Sequence, residues 1–396
     1  MKTLPKPRKK IFIATPFESR LPNRGTRLPV IADMLVNRGC DVEYVTTNFD
    51  HARKRYFGGK EIEECKTRRP YKLTVLKVFG YSKNISIRRV LTHIYLSVRY
   101  FIYLVRRLKM GDVVVIPSRP PELILCAAIA CGLRRASVVL DITDIWPDML
   151  HFAGRTHFQA FKIYCNIFLT RAMKRITRFI HSSPNFLEWV NRYAPGSTST
   201  FVSLGFDRER WDTIRPGSRQ RGDKLSLVCV TLLQRQIDVM PILEALVNRK
   251  RFTFSIIGDD GTGERFQECR SFIEKHGMDD VCIVGRLSPE DVVEHLKRHD
   301  IGIVPMISSS IPNKVFDYIG AHIPIISLGD MDASQFVRDN DIGWTAPFDG
   351  ERVGQLLDSI SDEEINNKAA NVEAIRETYS RDNLYKSYVE VIESAS

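Results

Sequence analysis

No two of the eight cysteines are spaced Cys-x-x-Cys, and the nine histidines form no cluster with them. A zinc site or a disulfide framework is therefore not expected, and Cys40, Cys65, Cys126, Cys131, Cys165, Cys229, Cys269 and Cys282 read as buried thiols of a reducing compartment. The apolar stretch IFIA (11–14) behind the basic MKTLPKPRKK is too short for a secretory signal or a bilayer span, so a cytoplasmic protein is expected. The dinucleotide fingerprint G-x-G-x-x-G is also missing, which disfavours a dehydrogenase. Without an RNP motif, a KH loop or a zinc finger, no nucleic-acid partner is expected.

Acid is scarce in one half only. Residues 1–200 hold 35 Lys+Arg against 14 Asp+Glu, whereas residues 201–396 hold 23 against 33. Such a division implies that the N-terminal half meets something anionic, and with nucleic acid set aside the cytoplasmic membrane face is the better partner. A length of 396 residues, 43% of them hydrophobic, suffices for two packed domains.

Short apolar strands alternate with helical stretches: strands over 9–16, 41–47, 72–79, 112–118, 137–144 and 178–183, with helices over 27–39, 86–109, 122–133, 158–173 and 185–193. After the polar stretch RPGSRQRGDK (215–224) the pattern restarts, with strands over 225–233, 252–261, 280–287, 300–306 and 324–329. Near-continuous apolar strands between helices imply parallel sheets covered on both faces. The fold class is α/β, two Rossmann-like domains facing across a cleft: an N-terminal domain over 1–205, a C-terminal domain over 206–375, and a terminal amphipathic helix over 376–396 returning to the first. Ligands of such sheets bind beyond the carboxyl ends of the strands.

The helix over 84–112 sets Leu91, Ile94, Val98, Phe101, Val105 and Leu108 at helical spacing among Arg88, Arg89, Arg99, Arg106, Arg107 and Lys109. Embedded His93 and Arg99 argue against a spanning segment. Two readings stand: an ordinary helix covering the sheet, or a basic amphipathic surface resting on anionic lipid. The basic first half favours the second.

Several loops carry the chemistry. DITDIWPD (141–148) sits at a strand end; GDDGTG (258–263) follows a strand and opens a helix, suiting close backbone approach and an anion; VGRLSPE (284–290) contains a helix cap from Ser288 to Asp291; and SSSIPNKVFDYIGAHIPIIS (308–327) places Lys314 and Asp317 at a helix start. In combination these stretches, with SRPPELILCAAIACGL (118–133) and HSSPNFLEWV (181–190), resemble the GT-B glycosyltransferases, in particular family 4 and its bacterial group that builds surface polysaccharides such as O-antigen or capsule.

That resemblance implies transfer of a sugar from a nucleotide-diphosphate donor to a lipid-linked or polysaccharide acceptor, with retention of anomeric configuration and no metal or other cofactor. On the donor side it points to Gly25, Arg235, Gly258, Arg286, Leu287, Ser309, Asn313, Lys314 and Asp317. Asp317 stands where relatives keep a glutamate that bonds the ribose hydroxyls, and a carboxylate with a shorter arm still accepts two such bonds. Ser309 stands where they keep an earlier glutamate. Lys314, with free N–H groups of a helix start, forms a diphosphate site. In VTLLQRQID (230–238), relatives have a glycine, an arginine and a lysine where this chain has Thr231, Leu232 and Ile237, leaving Arg235 as the nearby cation. On the acceptor side the resemblance points to Arg24, Arg27, Ser118, Arg119 and Trp146. Asp144 is placed to orient or deprotonate the acceptor hydroxyl, and Asp144 and Lys314 are the expected catalytic pair. Two alternatives remain open: a UDP-sugar 2-epimerase of the same fold, and a non-catalytic subunit of a glycosyltransferase complex. The expected setting is cytoplasmic, peripheral on the inner face of the membrane.

Overall fold

The computed structural model describes residues 9–22, 24–149, 156–214, 222–231, 233, 237–258, 263–307 and 310–395. They divide into two compact units, one of Met1–Val202 with Tyr385–Ser396 and one of Ser203–Leu384.

The first unit is a seven-stranded parallel sheet. In chain order its elements are β1 (Lys10–Ala14), α1 (Arg27–Asn37), β2 (Asp41–Thr47), a short hairpin of β3 (Phe49–Asp50) and β4 (Arg55–Tyr56), α2 (Gly59–Thr67), β5 (Lys72–Leu76), α3 (Ile87–Arg107), β6 (Val113–Pro117), α4 (Pro121–Arg134), β7 (Ser137–Ile142), α5 (Thr156–Ala172), β8 (Arg178–His181), α6 (Phe186–Tyr193) and β9 (Ser199–Phe201). The sheet order is β5-β2-β1-β6-β7-β8-β9. Strands such as VVVIP of β6 are buried along their whole length, as parallel strands covered on both faces must be. In α3, Ser86 caps the start by accepting from the Arg89 N–H, and Leu96, Tyr100 and Leu104 form the inner stripe.

The second unit holds α7 (Arg208–Trp211), β10 (Leu225–Val230), α8 (Met240–Leu246), β11 (Phe252–Ile257), α9 (Glu264–Lys275), β12 (Val281–Gly285), α10 (Pro289–Leu296), β13 (Ile301–Val304), α11 (Asn313–Gly320), β14 (Ile325–Leu328), α12 (Asp332–Asp339), β15 (Gly343–Ala346), α13 (Gly350–Ser359) and α14 (Asp362–Arg376). Its parallel sheet runs β12-β11-β10-β13-β14-β15. A final helix, α15 (Arg381–Ser394), contributes its residues from Tyr385 onward to the first unit. The two sheets are the expected α/β architecture.

The seat of α11 on its sheet is unusually close. A side chain at Gly302 on β13 would lie 2.5 Å from the Tyr318 ring, so the absence of a Cβ lets the ring sit flat against the strand. The Tyr318 hydroxyl accepts from the Val230 N–H at 3.0 Å and donates toward the Val228 and Ile303 carbonyls, both at 3.2 Å. That arrangement ties α11 to the ends of β10 and β13. The cysteines are all free; five are buried, Cys40 and Cys126 are half-buried, and Cys282 on β12 is exposed. The expectation of uniformly buried thiols fails there because β12 is an edge strand.

Candidate functional site

In the second unit the loops beyond the carboxyl ends of four strands are bonded to one another. The Asp238 N–H donates to the Pro305 carbonyl at 3.0 Å, and that of Gly258 to the Gly285 carbonyl at 2.7 Å. Gly258 has φ +119°, and a Cβ there would lie 2.8 Å from the Thr231 carbonyl oxygen; glycine alone allows these two loops to approach so closely. The α11 start opens from the loop after β13. Asn313 is exposed there. The Lys314 Nζ is out of water and has no hydrogen-bond partner among the described residues. Burial lowers the pKa of this ammonium, with Cys229 on β10 and Asp317 acting the other way. A buried cation without a bonded acceptor is costly, which marks this atom as one that a bound anion would complete.

Asp317 lies one helical turn further. Burial raises its pKa, while Arg210, Arg381 and a hydrogen bond from the Trp211 side chain oppose that shift. The Trp211 bond occupies one of about four lone-pair sites of the carboxylate. Arg286 is exposed, and Leu287 packs into the core beneath. Ser288 caps α10 by accepting from the Asp291 N–H at 3.1 Å, as its sequence predicts. Arg235 and Ser309, together with Leu232, lie outside the described residues.

The first unit separates its expected residues into two groups. Arg27 is only 5% exposed, and its guanidinium is committed inward. Its Nε donates to Asp141 at 3.2 Å, its Nη2 to the Val202 carbonyl at 3.0 Å and its Nη1 to the Tyr385 hydroxyl at 3.4 Å. Burial opposes its charge, but Asp141 beside it outweighs this and drives the Arg27 pKa up. The expectation of Arg27 on the acceptor side thus meets a side chain enclosed in an ion pair. Arg24 donates to Thr46 Oγ1 at 2.7 Å, to Thr47 and to the Phe49 carbonyl, fastening its loop to the end of β2. Gly25 packs beside Glu18, where a Cβ would meet Glu18 Cγ at 3.0 Å.

The second group gathers at the ends of β6 and β7. Arg119 Nη1 pairs with Asp144 Oδ2 at 2.7 Å, and the Ser118 hydroxyl donates to the Asp144 main-chain carbonyl at 2.5 Å. Asp144, Ser118 and Arg119 therefore stand together. Trp146 is a different matter. It is buried, edge-on to Phe161 at 5.7 Å, with Arg89 over its ring at 5.2 Å, so its face is already covered and it is not an open sugar platform. Sequence reasoning missed the side chains that complete this corner: Phe17, His51, Lys54, Tyr81, Arg89 and His93. Of these, Arg89 and His93 were legible only as interruptions in an apolar helix.

With the geometry in view, comparison with known proteins defines the class. Residues 228–362 match the family model described as Glycosyl transferases group 1. The chain is 22% identical over 308 residues to the probable glycosyltransferase WbjE of Pseudomonas aeruginosa, covering 70% of this chain and 73% of that protein. Among solved structures, Anabaena Alr3699/HepE in complex with UDP superposes with a TM-score of 0.70 at 14% identity, covering 98% of this chain and 100% of that one. WaaG, a glycosyltransferase involved in lipopolysaccharide biosynthesis, gives 0.63 at 13% identity over 97% and 99%. The fold is GT-B, and the second unit carries a glycosyltransferase domain. The chain is an enzyme of the glycosyltransferase class.

Arg27→Met would leave Asp141 buried without its partner, a change that costs about 3–5 kcal/mol. Urea unfolding followed by circular dichroism should show that loss, and a smaller one when Asp141→Leu accompanies it.

Proposed function

We propose that this chain is a family 4 glycosyltransferase that moves a sugar, with retention, from a nucleotide-diphosphate donor to a lipid-linked or polysaccharide acceptor during surface-polysaccharide assembly. The observation that carries the reading is the buried Lys314 Nζ at the start of α11, which has no hydrogen-bond partner among the described residues and lies inside the segment that matches the glycosyltransferase family model. The donor's diphosphate meets this ammonium and the free N–H groups of the α11 start. The remaining oxygen sites of Asp317 accept the ribose hydroxyls, and backbone at Arg286 and Leu287 meets the base. Arg235, Ser309, Asn313, Gly258 and Gly25 complete the donor set. UDP and UDP-glucose complexes of the Anabaena relative support a nucleotide-sugar donor, and the names of WbjE and WaaG support a polysaccharide or lipopolysaccharide role.

In this reading Asp144, steered by Arg119, orients the acceptor hydroxyl for front-face attack as the diphosphate departs. Stabilising the charge that develops on that leaving group is the main electrostatic task. Lys314 performs it without a metal. Ser118 fixes the Asp144 backbone, while Arg24 and Arg27 act from behind by holding their loop.

The membrane reading has its own support. Among the described residues no helix is long and apolar enough to cross a membrane. Yet α3 leaves Ile87 81% and Leu91 53% exposed, and Ile94, Val98 and Ile102 continue that stripe at helical spacing. Arg88, Arg99 and Arg106 are exposed among them, and each basic group near an anionic surface contributes about 1 kcal/mol. An apolar stripe with basic flanks fits the acidic inner leaflet, where a lipid-linked acceptor resides.

Two measurements check these readings. Lys314→Ala should weaken UDP binding in calorimetry by roughly tenfold to a hundredfold, the scale of one charge-assisted contact; equal affinity sinks the donor assignment. The wild-type chain should sediment with vesicles rich in phosphatidylglycerol at low salt, and the Ile87→Asp, Leu91→Asp variant should stay in the supernatant. Equal sedimentation of both contradicts the membrane face.

A further inference from the structure

The loops of the first unit after β1, β2, β5, β6 and β7, with the first two turns of α3, meet at the carboxyl end of the sheet, and they bring together more positive charge than negative. Phe17 lies 5.4 Å from His51 and 5.9 Å from His93, ring centre to ring centre. Tyr81 lies 5.7 Å from His51 and 6.2 Å from His93, and its hydroxyl bonds His51 Nδ1. Lys54 Nζ sits 5.1 Å from the Tyr81 ring centre. Arg89 covers both Tyr81 and Trp146, and Arg119 lies over Phe17 at 5.9 Å.

Two of these three cations, Lys54 and Arg89, are held by neutral groups rather than by acids. Lys54 donates to the His51 carbonyl and to Asn84 Oδ1, and Arg89 to the Asn84 carbonyl at 2.7 Å and to His93 Nε2 at 3.5 Å. Among the described residues neither makes an ion pair. None of the nearby acids is bonded to Lys54 or Arg89, although Asp50 acts on Lys54 from a distance. Asp144 is paired with Arg119. Asp50 accepts from the N–H groups of Ala52 and Arg53. Glu122 bonds Tyr164, and burial pushes its carboxyl toward the neutral form. Both histidines are neutral, their pKa values lowered to about 3 by burial and then by Arg89. Aromatic rings hold a cation in place without cancelling its charge, so the positive field at this end persists.

We propose that this corner binds a phosphate or diphosphate carried by the acceptor, with Lys54 and Arg89 as its direct contacts. The assignment rests on the transferase reading, because it gives the ligand to the acceptor. Two unpaired cations beside the Asp144–Arg119 pair match an anion on one side and a hydroxyl presented to Asp144 on the other. Guanidinium and ammonium are the usual partners of phosphate oxygens. Phosphate anchors of this kind occur on lipid carriers and on soluble sugar phosphates alike.

The full chain is first saturated with UDP, which occupies the donor site, and then titrated with inorganic diphosphate or with farnesyl diphosphate in detergent micelles. Binding of inorganic diphosphate that falls at least tenfold in Lys54→Gln and in Arg89→Gln is expected, with Arg89→Lys retaining part of it. Binding should also raise the pKa values of His51 and His93, read by NMR. Farnesyl diphosphate binding tighter than inorganic diphosphate assigns the site to a lipid carrier, and equal affinity assigns it to a soluble phosphate. No binding of either, or equal binding by the variants, overturns the proposal. Should Arg89→Gln lose its fold by circular dichroism, Lys54→Gln alone decides. Failure of the wild-type chain to bind UDP counts against the transferase reading, whereas failure to bind diphosphate with UDP bound counts against this site only.

Discussion

Burying the Arg27–Asp141 pair takes two charges out of water, at a cost of several kcal/mol per ion that good geometry must offset. The surroundings supply that geometry: the Val202 carbonyl and the Tyr385 hydroxyl accept from the remaining guanidinium donors, and Tyr385 and Tyr388 stack against it, each 5.1 Å away. One interaction thus joins the start of α1, the end of β7, the end of β9 and the middle turns of α15 within the first unit. The loops beside it inherit their positions. Ser118 is tied by its N–H to the Asp141 carbonyl at 2.9 Å, and by its hydroxyl to the carbonyl of Asp144. The pair that confronts the proposed acceptor, Arg119 with Asp144, is therefore set from behind by a pair that no ligand reaches.

The second unit solves the same problem without charge. Gly302 yields space, Tyr318 fills it, and its hydroxyl reaches two strands at once. This fixes where α11 begins, and hence where Lys314 stands. A lysine whose Nζ has no described partner is tolerable because the helix that bears it is otherwise well satisfied. The donor reading depends on that contrast between a rigid seat and one uncompensated cation.

Most strands of both sheets were legible because each is a largely apolar run of four to seven residues between turn signals. β9 and β15 were not: STF is partly exposed and GWTA is half-buried, so neither shows the run. The helices over 332–339 and 350–376 follow the last recognised strand and were missed as well. Within the site, DITDIWPD was the right stretch, yet nothing in its spacing separates Asp141, sealed inside, from Asp144, paired at the loop. The same holds for Arg24 and Arg27, three residues apart, one in the loop and one opening α1, and committed to different partners. Loop side chains have no period to give their direction, and the corner of Lys54, Arg89 and His93 is assembled from segments distant in sequence. Long-range assembly of that kind becomes visible only once the strand order is known.

The central claim is that the second unit binds a nucleotide-sugar donor at the loops beyond its strand ends. Hydrogen–deuterium exchange of the full chain with and without UDP tests it most directly. The account predicts slower exchange in the loops after β10, β11, β12 and β13 and in the first turn of α11 around Lys314. Unchanged exchange there, or protection confined to other segments, would contradict it.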